Sequence, residues 1–247
     1  MERVYITAPG CMGVTDGRRR EAIAYVTPAL VSDREHFRYT FISGLTMGLL
    51  SPLDRQPLHA AALVRGETTL LLAGPSGTGK STLCYSGALN GLSVLSDDYV
   101  NLQRHPHLRV WGMADHLHLP LDAREHFPAL AQHRATLLYN GKEKIAINLR
   151  EMGAEAPLPV LERAGICVLT RTKAEPALAR LSAEELETKL LASPEYGFDR
   201  FSDTIKESVH QLAEKGGWAL DVGSRPDATI PFLYEMFDEI DQRSVED

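Results

Sequence analysis

Cysteine is scarce in this chain. Only Cys11, Cys84 and Cys167 occur among 247 residues. Three cysteines so far apart give neither a disulfide framework nor the spacing of a zinc site, and they fit a reducing compartment. Excess positive charge is also lacking. Lys and Arg number 26 against 33 Asp and Glu, for a net charge of -7 and a pI near 5.7. That balance argues against a broad nucleic-acid-binding face, which needs clustered basic residues, and leaves room for a local basic patch. No long hydrophobic run is present. The longest apolar stretch, residues 44–53, is broken by Thr46, Gly48 and Ser51 and is too short to span a bilayer. The N-terminus lacks a basic segment followed by an apolar one. No repeat or low-complexity tract appears. The expectation is a cytoplasmic protein that engages neither membrane nor nucleic acid.

What is present is ordinary globular material, with 44% hydrophobic and 24% charged residues. The length suits one compact domain with additions, or two small ones. Val4 to Thr7 and Ala22 to Val26 read as strands. Phe37, Phe41, Ile42, Leu45 and Leu49 recur at helical spacing, predicting a core helix over residues 35–50 that Ser51-Pro52 ends. Leu58 to Val64 and Thr68 to Ala73 read as two strands joined by the turn Arg65-Gly66-Glu67. A glycine-rich loop follows, then a helix from Lys80 to Leu89, stopped by Asn90-Gly91, and a strand over Leu92 to Leu95. Further strands are predicted near Val110 to Met113, Ile145 to Leu149, Gly165 to Thr170 and Trp218 to Val222. Ser182 and Glu185 mark a capping box. Phe198, Phe201, Ile205, Val209 and Leu212 mark one helix, and Pro231 opens a last one with Phe232, Leu233, Met236, Phe237 and Ile240 inward. The alternation predicts an α/β fold, and the early hairpin makes its sheet mixed.

The loop Gly74-Pro75-Ser76-Gly77-Thr78-Gly79-Lys80-Ser81, followed by Thr82, fits the pattern G-x-x-x-x-G-K-[ST]. Each fixed residue has a physical reason. The glycines let backbone N–H groups turn inward as a nest for phosphate oxygens, and the helix that begins at Lys80 adds the positive end of its dipole. Lys80 can reach the β- and γ-phosphates of ATP, and the Ser81 hydroxyl can ligate Mg²⁺. A strand before the loop and a helix after it supply the context that separates such a site from a chance glycine turn.

Asp97 and Asp98 follow an apolar strand, 17 and 18 positions after Lys80. Side chains alternate along a strand, so the two carboxylates are expected to point different ways. One can serve a metal, with Asp98 and Ser81 as the expected ligands. The other can accept a proton from a hydroxyl, and a phosphoryl-transfer site needs both functions. The interval is short, because a single helix separates loop and acids.

These segments resemble the HPr kinase-like branch of the PEP-carboxykinase-like fold. Leu58-His59-Ala60-Ala61 is similar to that family's opening motif, with His59 placed 21 residues before Lys80. The hairpin into the loop, Ser96-Asp97-Asp98, the stretch Gly141 to Leu149 and the stretch Gly165 to Leu181 are similar as well. The resemblance spans roughly residues 55 to 240 and is strongest up to Tyr99. It implies a mixed-sheet P-loop kinase domain with flanking helices over residues 55–247, and residues 1–54 are expected to form an N-terminal α/β extension packed on it. It further implies ATP and Mg²⁺ as cofactors, a peptide or protein substrate carrying a serine, and a homo-oligomer. His59 would stand near the phosphates, Lys80 would grip them, and one of Asp97 and Asp98 would be the proton acceptor. Asp122 is a weaker candidate for a further metal ligand. Pro75 and Thr82 replace the Asp and Glu of authentic HPr kinase/phosphorylases, and only about fifty residues precede the opening motif. Those departures point toward compact peptide serine kinases, such as those of lasso-peptide pathways, or toward small-molecule serine kinases.

The remaining candidates weigh less. His105-Pro106-His107 and His116-Leu117-His118 lack the Cys or Glu partners of a zinc site and read as hydrogen-bonding histidines, with His118 able to face the site. Lys142 and Lys144 suit phosphate contact or a solvated hairpin equally. Arg150 and Arg171 end strands and could stabilise charge. Trp111 and Trp218 read as core. Two other function classes fit the loop. One is a non-catalytic ATP-binding sensor or scaffold. The other is a small-metabolite kinase, although 73 residues precede the loop here.

Overall fold

The structure, a computed structural model, describes residues 3–112, 116–138, 141–152, 160–172, 175–192 and 202–246. Among the described residues, four sheets and the helices between them form an α/β architecture. The central sheet has six strands. In spatial order they are Ala177–Leu181, Gly217–Asp221, Arg163–Thr170, Thr68–Ala73, Ala60–Arg65 and Ser93–Ser96. Thr68–Ala73, Arg163–Thr170 and Gly217–Asp221 run parallel, while Ala60–Arg65 pairs antiparallel with both of its neighbours. The sheet is therefore mixed, as the hairpin implies.

Thr68–Ala73 is buried along its whole length, which is why its sequence is a continuous apolar run rather than an alternating one. Leu70 and Leu72 face a core shared with the helices Lys80–Leu89 and Ile230–Glu246. Leu71 and Ala73 face the opposite core, beneath the helices Ala183–Leu191 and Ser202–Ala213. The second core also takes Val100, Leu102, Val110 and Leu161 from a four-stranded sheet. A three-stranded sheet made of His116–Pro120, Glu143–Asn148 and Ala135–Leu137 closes the first core through Leu117, Leu119, Ile145 and Ile147. The capping box at Ser182 and Glu185 is formed. In the last helix Leu233, Met236, Phe237 and Ile240 are buried, whereas Phe232 is only partly so. Phe198 and Phe201 lie outside the described residues, as does Met113.

Residues 3–53 build a smaller unit with its own apolar cluster of Cys11, Leu30, Phe41 and Leu45. Three antiparallel strands, Arg3–Ala8, Cys11–Asp16 and Glu21–Tyr25, form its sheet. The middle strand gives no clear sequence signal, because its inward side is made of small residues, Cys11, Gly13 and Thr15. Against it runs a helical segment from Arg34 to Leu50. Its centre, Phe37–Ser43, is π-helical, and Gly44–Leu50 is α-helical. Gly48 is needed there, since a Cβ would come within 2.4 Å of the buried Thr15 hydroxyl. The helical spacing places Ile42 inward, but the structure leaves it 47% exposed. The wider π turn shifts side chains off the 3.6-residue stripe.

Candidate active site

The edge of the central sheet where its parallel strands end collects most of the residues marked in the sequence. Thr68–Ala73 ends there and runs into the glycine-rich loop. Its hairpin partner begins there, with Ala60 opposite Ala73, and Ser93–Ser96 ends there, with Ser96 opposite Ala62. His59, Gly74 and Asp97 thereby converge. His59 occupies the break between Gln56–Leu58, which belongs to the four-stranded sheet, and Ala60–Arg65 of the central sheet.

In the loop, Gly74, Gly77 and Gly79 have φ of 145°, 91° and 101°, conformations that side chains resist. Gly74 is also sterically fixed, because a Cβ would lie 2.9 Å from the Leu169 carbonyl oxygen. Around Gly77 there is open space. Thr78 closes the loop by donating its N–H and its hydroxyl to the Pro75 carbonyl, at 3.3 and 2.8 Å. Pro75 and Ser76 are exposed and Thr82 is buried. Lys80 is buried and folds back along the loop, its Nζ donating to the carbonyls of Gly74 at 2.6 Å and Pro75 at 3.2 Å. The helix Lys80–Leu89 has Gly79 at its N-cap and no side-chain cap there. Its first-turn N–H groups lack intrahelical acceptors and favour an anion.

The two aspartates point apart. Asp97 is buried, accepts the His118 N–H at 2.7 Å, and lies within hydrogen-bonding reach of the Ser81 hydroxyl. Burial pushes its carboxyl up to about 6, and the neighbouring Asp98 adds to this. Ser81, the His118 N–H and the charge of Lys144 oppose it. One oxygen of Asp97, Oδ1, is buried with no donor among the described residues. Asp98 is half exposed, and its Oδ1 stands 3.6 Å from His59 Nδ1. Ser81 thus stands beside Asp97. Lys144 reaches this neighbourhood because its strand pairs with His116–Pro120, with Pro120 opposite Lys144.

Asp122 is exposed at the start of the short helix Ala123–His126 and makes no cap bond with its side chain. Arg150 is exposed as well. Neither lines the cavity beside the acids. Arg171 borders a small hollow with Gly79, Thr82 and Val222. His105 and His107 pair with Asp54 and Glu162, at 3.1 and 2.7 Å. Trp218 is core, and Trp111 donates its indole N–H to Gln103. Among the described residues no group of three or more His, Cys, Asp or Glu is set to hold a metal, and no helix is long and apolar enough to cross a membrane.

Tyr39 is not among the residues that the sequence patterns mark. It sits in the π-helical segment, its hydroxyl 3.3 Å from His118 Nδ1 and its ring edge-on to the imidazole. A contact across 79 positions of the chain brings it here.

No family model matches the chain, and no curated protein matches it. Among solved structures it is similar to the Hpr(Ser) kinase/phosphatase from Coxiella burnetii, at a TM-score of 0.40 and 14% identity, over 78% of this chain and 99% of that one.

Proposed function

We propose that this protein is an ATP-dependent kinase that transfers the γ-phosphoryl group to a serine hydroxyl of a peptide or protein substrate, with Mg²⁺ as its cofactor. The observation that carries the reading is the pairing at one sheet edge: an uncapped helix behind a glycine-rich loop, and beside it two aspartates in different environments. The residues fit a divalent cation, since Ser81 offers a hydroxyl and Asp97 a buried oxygen with no donor among the described residues. When bound there, Mg²⁺ would neutralise charge on the β- and γ-phosphates.

The chain's own residues supply the rest. The loop amides and the start of the helix hold the polyphosphate. Lys80 leaves the carbonyls of Gly74 and Pro75 and takes phosphate oxygens instead. Asp98, oriented by His59, accepts the proton of the acceptor hydroxyl. The acceptor oxygen bonds to the γ-phosphorus as the bond to the β–γ bridging oxygen breaks, and ADP departs. Most of the acceleration comes from positioning and charge neutralisation. Serine as the acceptor rests on the motif resemblance of residues 58–99.

The test is transfer from γ-labelled ATP to a panel of serine-bearing peptides, HPr-like proteins and free serine. Wild type should label one class, Lys80→Ala none, and Asp98→Asn should keep nucleotide affinity while losing transfer by roughly a hundredfold or more. Nucleotide binding without transfer to any acceptor would instead assign a non-catalytic ATP-binding protein. Full transfer by Asp98→Asn would remove Asp98 as the base.

A further inference from the structure

A cavity of about 320 Å³ lies between the helical segment of the N-terminal unit and the two aspartates. Tyr39, Ile42 and Thr46 form one wall, and Asp97, Asp98 and His118 stand on the other. The two walls touch where the Tyr39 hydroxyl meets His118 Nδ1, and His118 in turn donates its N–H to Asp97. The N-terminal wall is π-helical at Tyr39 and Ile42, a geometry frequent at functional sites. It also explains why Ile42, apolar and at core spacing, is left half exposed.

We infer that this cavity is the acceptor subsite, and that it takes a compact seryl unit whose hydroxyl reaches Asp98. The inference rests on the kinase reading above and adds to it the size of the acceptor and the part of the chain that selects it. The volume equals that of about ten liquid waters, at the low end for ligand pockets. One residue with its flanking amides fits such a space, whereas the face of a folded protein domain does not. Tyr39, Ile42 and Thr46 then act as specificity-determining residues supplied by the N-terminal unit, and Tyr39 also positions His118.

The product form of the acceptor gives a direct probe. Free O-phospho-L-serine and its N-acetyl methylamide are titrated separately against the full chain with Mg·ADP present, followed by ³¹P and saturation-transfer NMR. Wild type should bind at least one of them. Saturation by the blocked amide points to a residue within a peptide, and saturation by the free amino acid alone points to a small-molecule acceptor. Thr46→Trp, which fills the cavity, should weaken that binding roughly tenfold or more by steric exclusion and leave Mg·ADP affinity unchanged. Ile42→Trp provides a second filling variant at a half-exposed position that the fold tolerates, and it should act in the same direction. Tyr39→Phe should weaken phosphoseryl affinity severalfold while lowering the melting temperature by no more than the few degrees that one lost hydrogen bond costs. If wild type binds Mg·ADP but neither probe, or if both tryptophan variants bind the probe as wild type does, the subsite is wrong and the nucleotide site stands. If wild type does not bind Mg·ADP at all, the kinase reading itself fails.

Discussion

Asp97 accepts the backbone N–H of His118 at 2.7 Å, a bond that links the end of the central sheet's edge strand to the strand that begins at His116. The other carboxylate oxygen is buried and has no donor among the described residues. A buried carboxylate with one oxygen unmatched costs folding free energy that the rest of the fold must offset.

The first prediction follows from that cost. Asp97→Asn keeps an acceptor for the His118 N–H and removes the buried charge. The nucleotide-free variant should be more stable than wild type by about 1 kcal/mol, which for a chain of this size raises Tm by roughly 2–4 °C. Magnesium-dependent transfer should collapse in the same variant. Calorimetry of the apo protein checks the first half. An unchanged or lower Tm would mean that Asp97 is already well compensated and that its oxygen is not held ready for a cation.

The loop glycines allow a sharper contrast. Gly74 and Gly77 both have positive φ, but only Gly74 is crowded, by the Leu169 carbonyl oxygen at 2.9 Å from a would-be Cβ. Gly77→Ala should cost only backbone strain, about 1–3 kcal/mol. Gly74→Ala adds a clash with a main-chain atom of the neighbouring parallel strand, which cannot move without disturbing the sheet. It should be the less stable of the two in urea denaturation and should lose nucleotide binding. Equal urea midpoints for the two variants would show that the sheet edge is more compliant than the packing implies.

What the sequence disclosed, and what it withheld, divides along chain distance. The loop, its strand and its helix were readable because glycine placement and apolar runs are local signals. The aspartate pair was readable for the same reason, and strand alternation foretold that the two carboxylates diverge. Which acid faces Ser81 was not readable, because it depends on how the end of Ser93–Ser96 twists, beside a register shift at Ala62 and Leu63. Tyr39 was invisible, since no local pattern tells a tyrosine in a core helix from one that reaches a histidine 79 residues away. The strand Cys11–Asp16 escaped for a different reason. Its buried face relies on Gly13 and Thr15 fitting against a glycine-bearing helix, not on large apolar residues.

The last prediction concerns the seam beside that N-terminal unit. Asp54 ends its helical run in a left-handed conformation, φ 57°, and accepts from the N–H groups of Arg104 and His105 at 3.0 and 2.9 Å and from the Arg104 guanidinium at 3.0 Å. Burial alone would raise its carboxyl. The His105 N–H and the two Arg104 donors outweigh burial and hold it down, from an ordinary 3.8 to about 2. A carboxylate depressed in the folded state stabilises the fold above its unfolded pKa, and that stabilisation fades as pH falls through the folded value. The contribution is therefore complete above pH 4 to 5 and shrinks toward pH 2. Its size is about 2 kcal/mol from the depression, at about 1.4 kcal/mol per pH unit. Asp54→Asn retains part of the hydrogen bonding, so it should lose roughly 1–2 kcal/mol at pH 7. Urea midpoints of wild type and variant, measured at pH 7, 5, 4 and 3, should keep a constant gap down to pH 5 and converge below pH 4. A gap that persists undiminished at pH 3 would show that the anchor works through shape and neutral hydrogen bonds, and that the ionised carboxylate adds nothing to the seam.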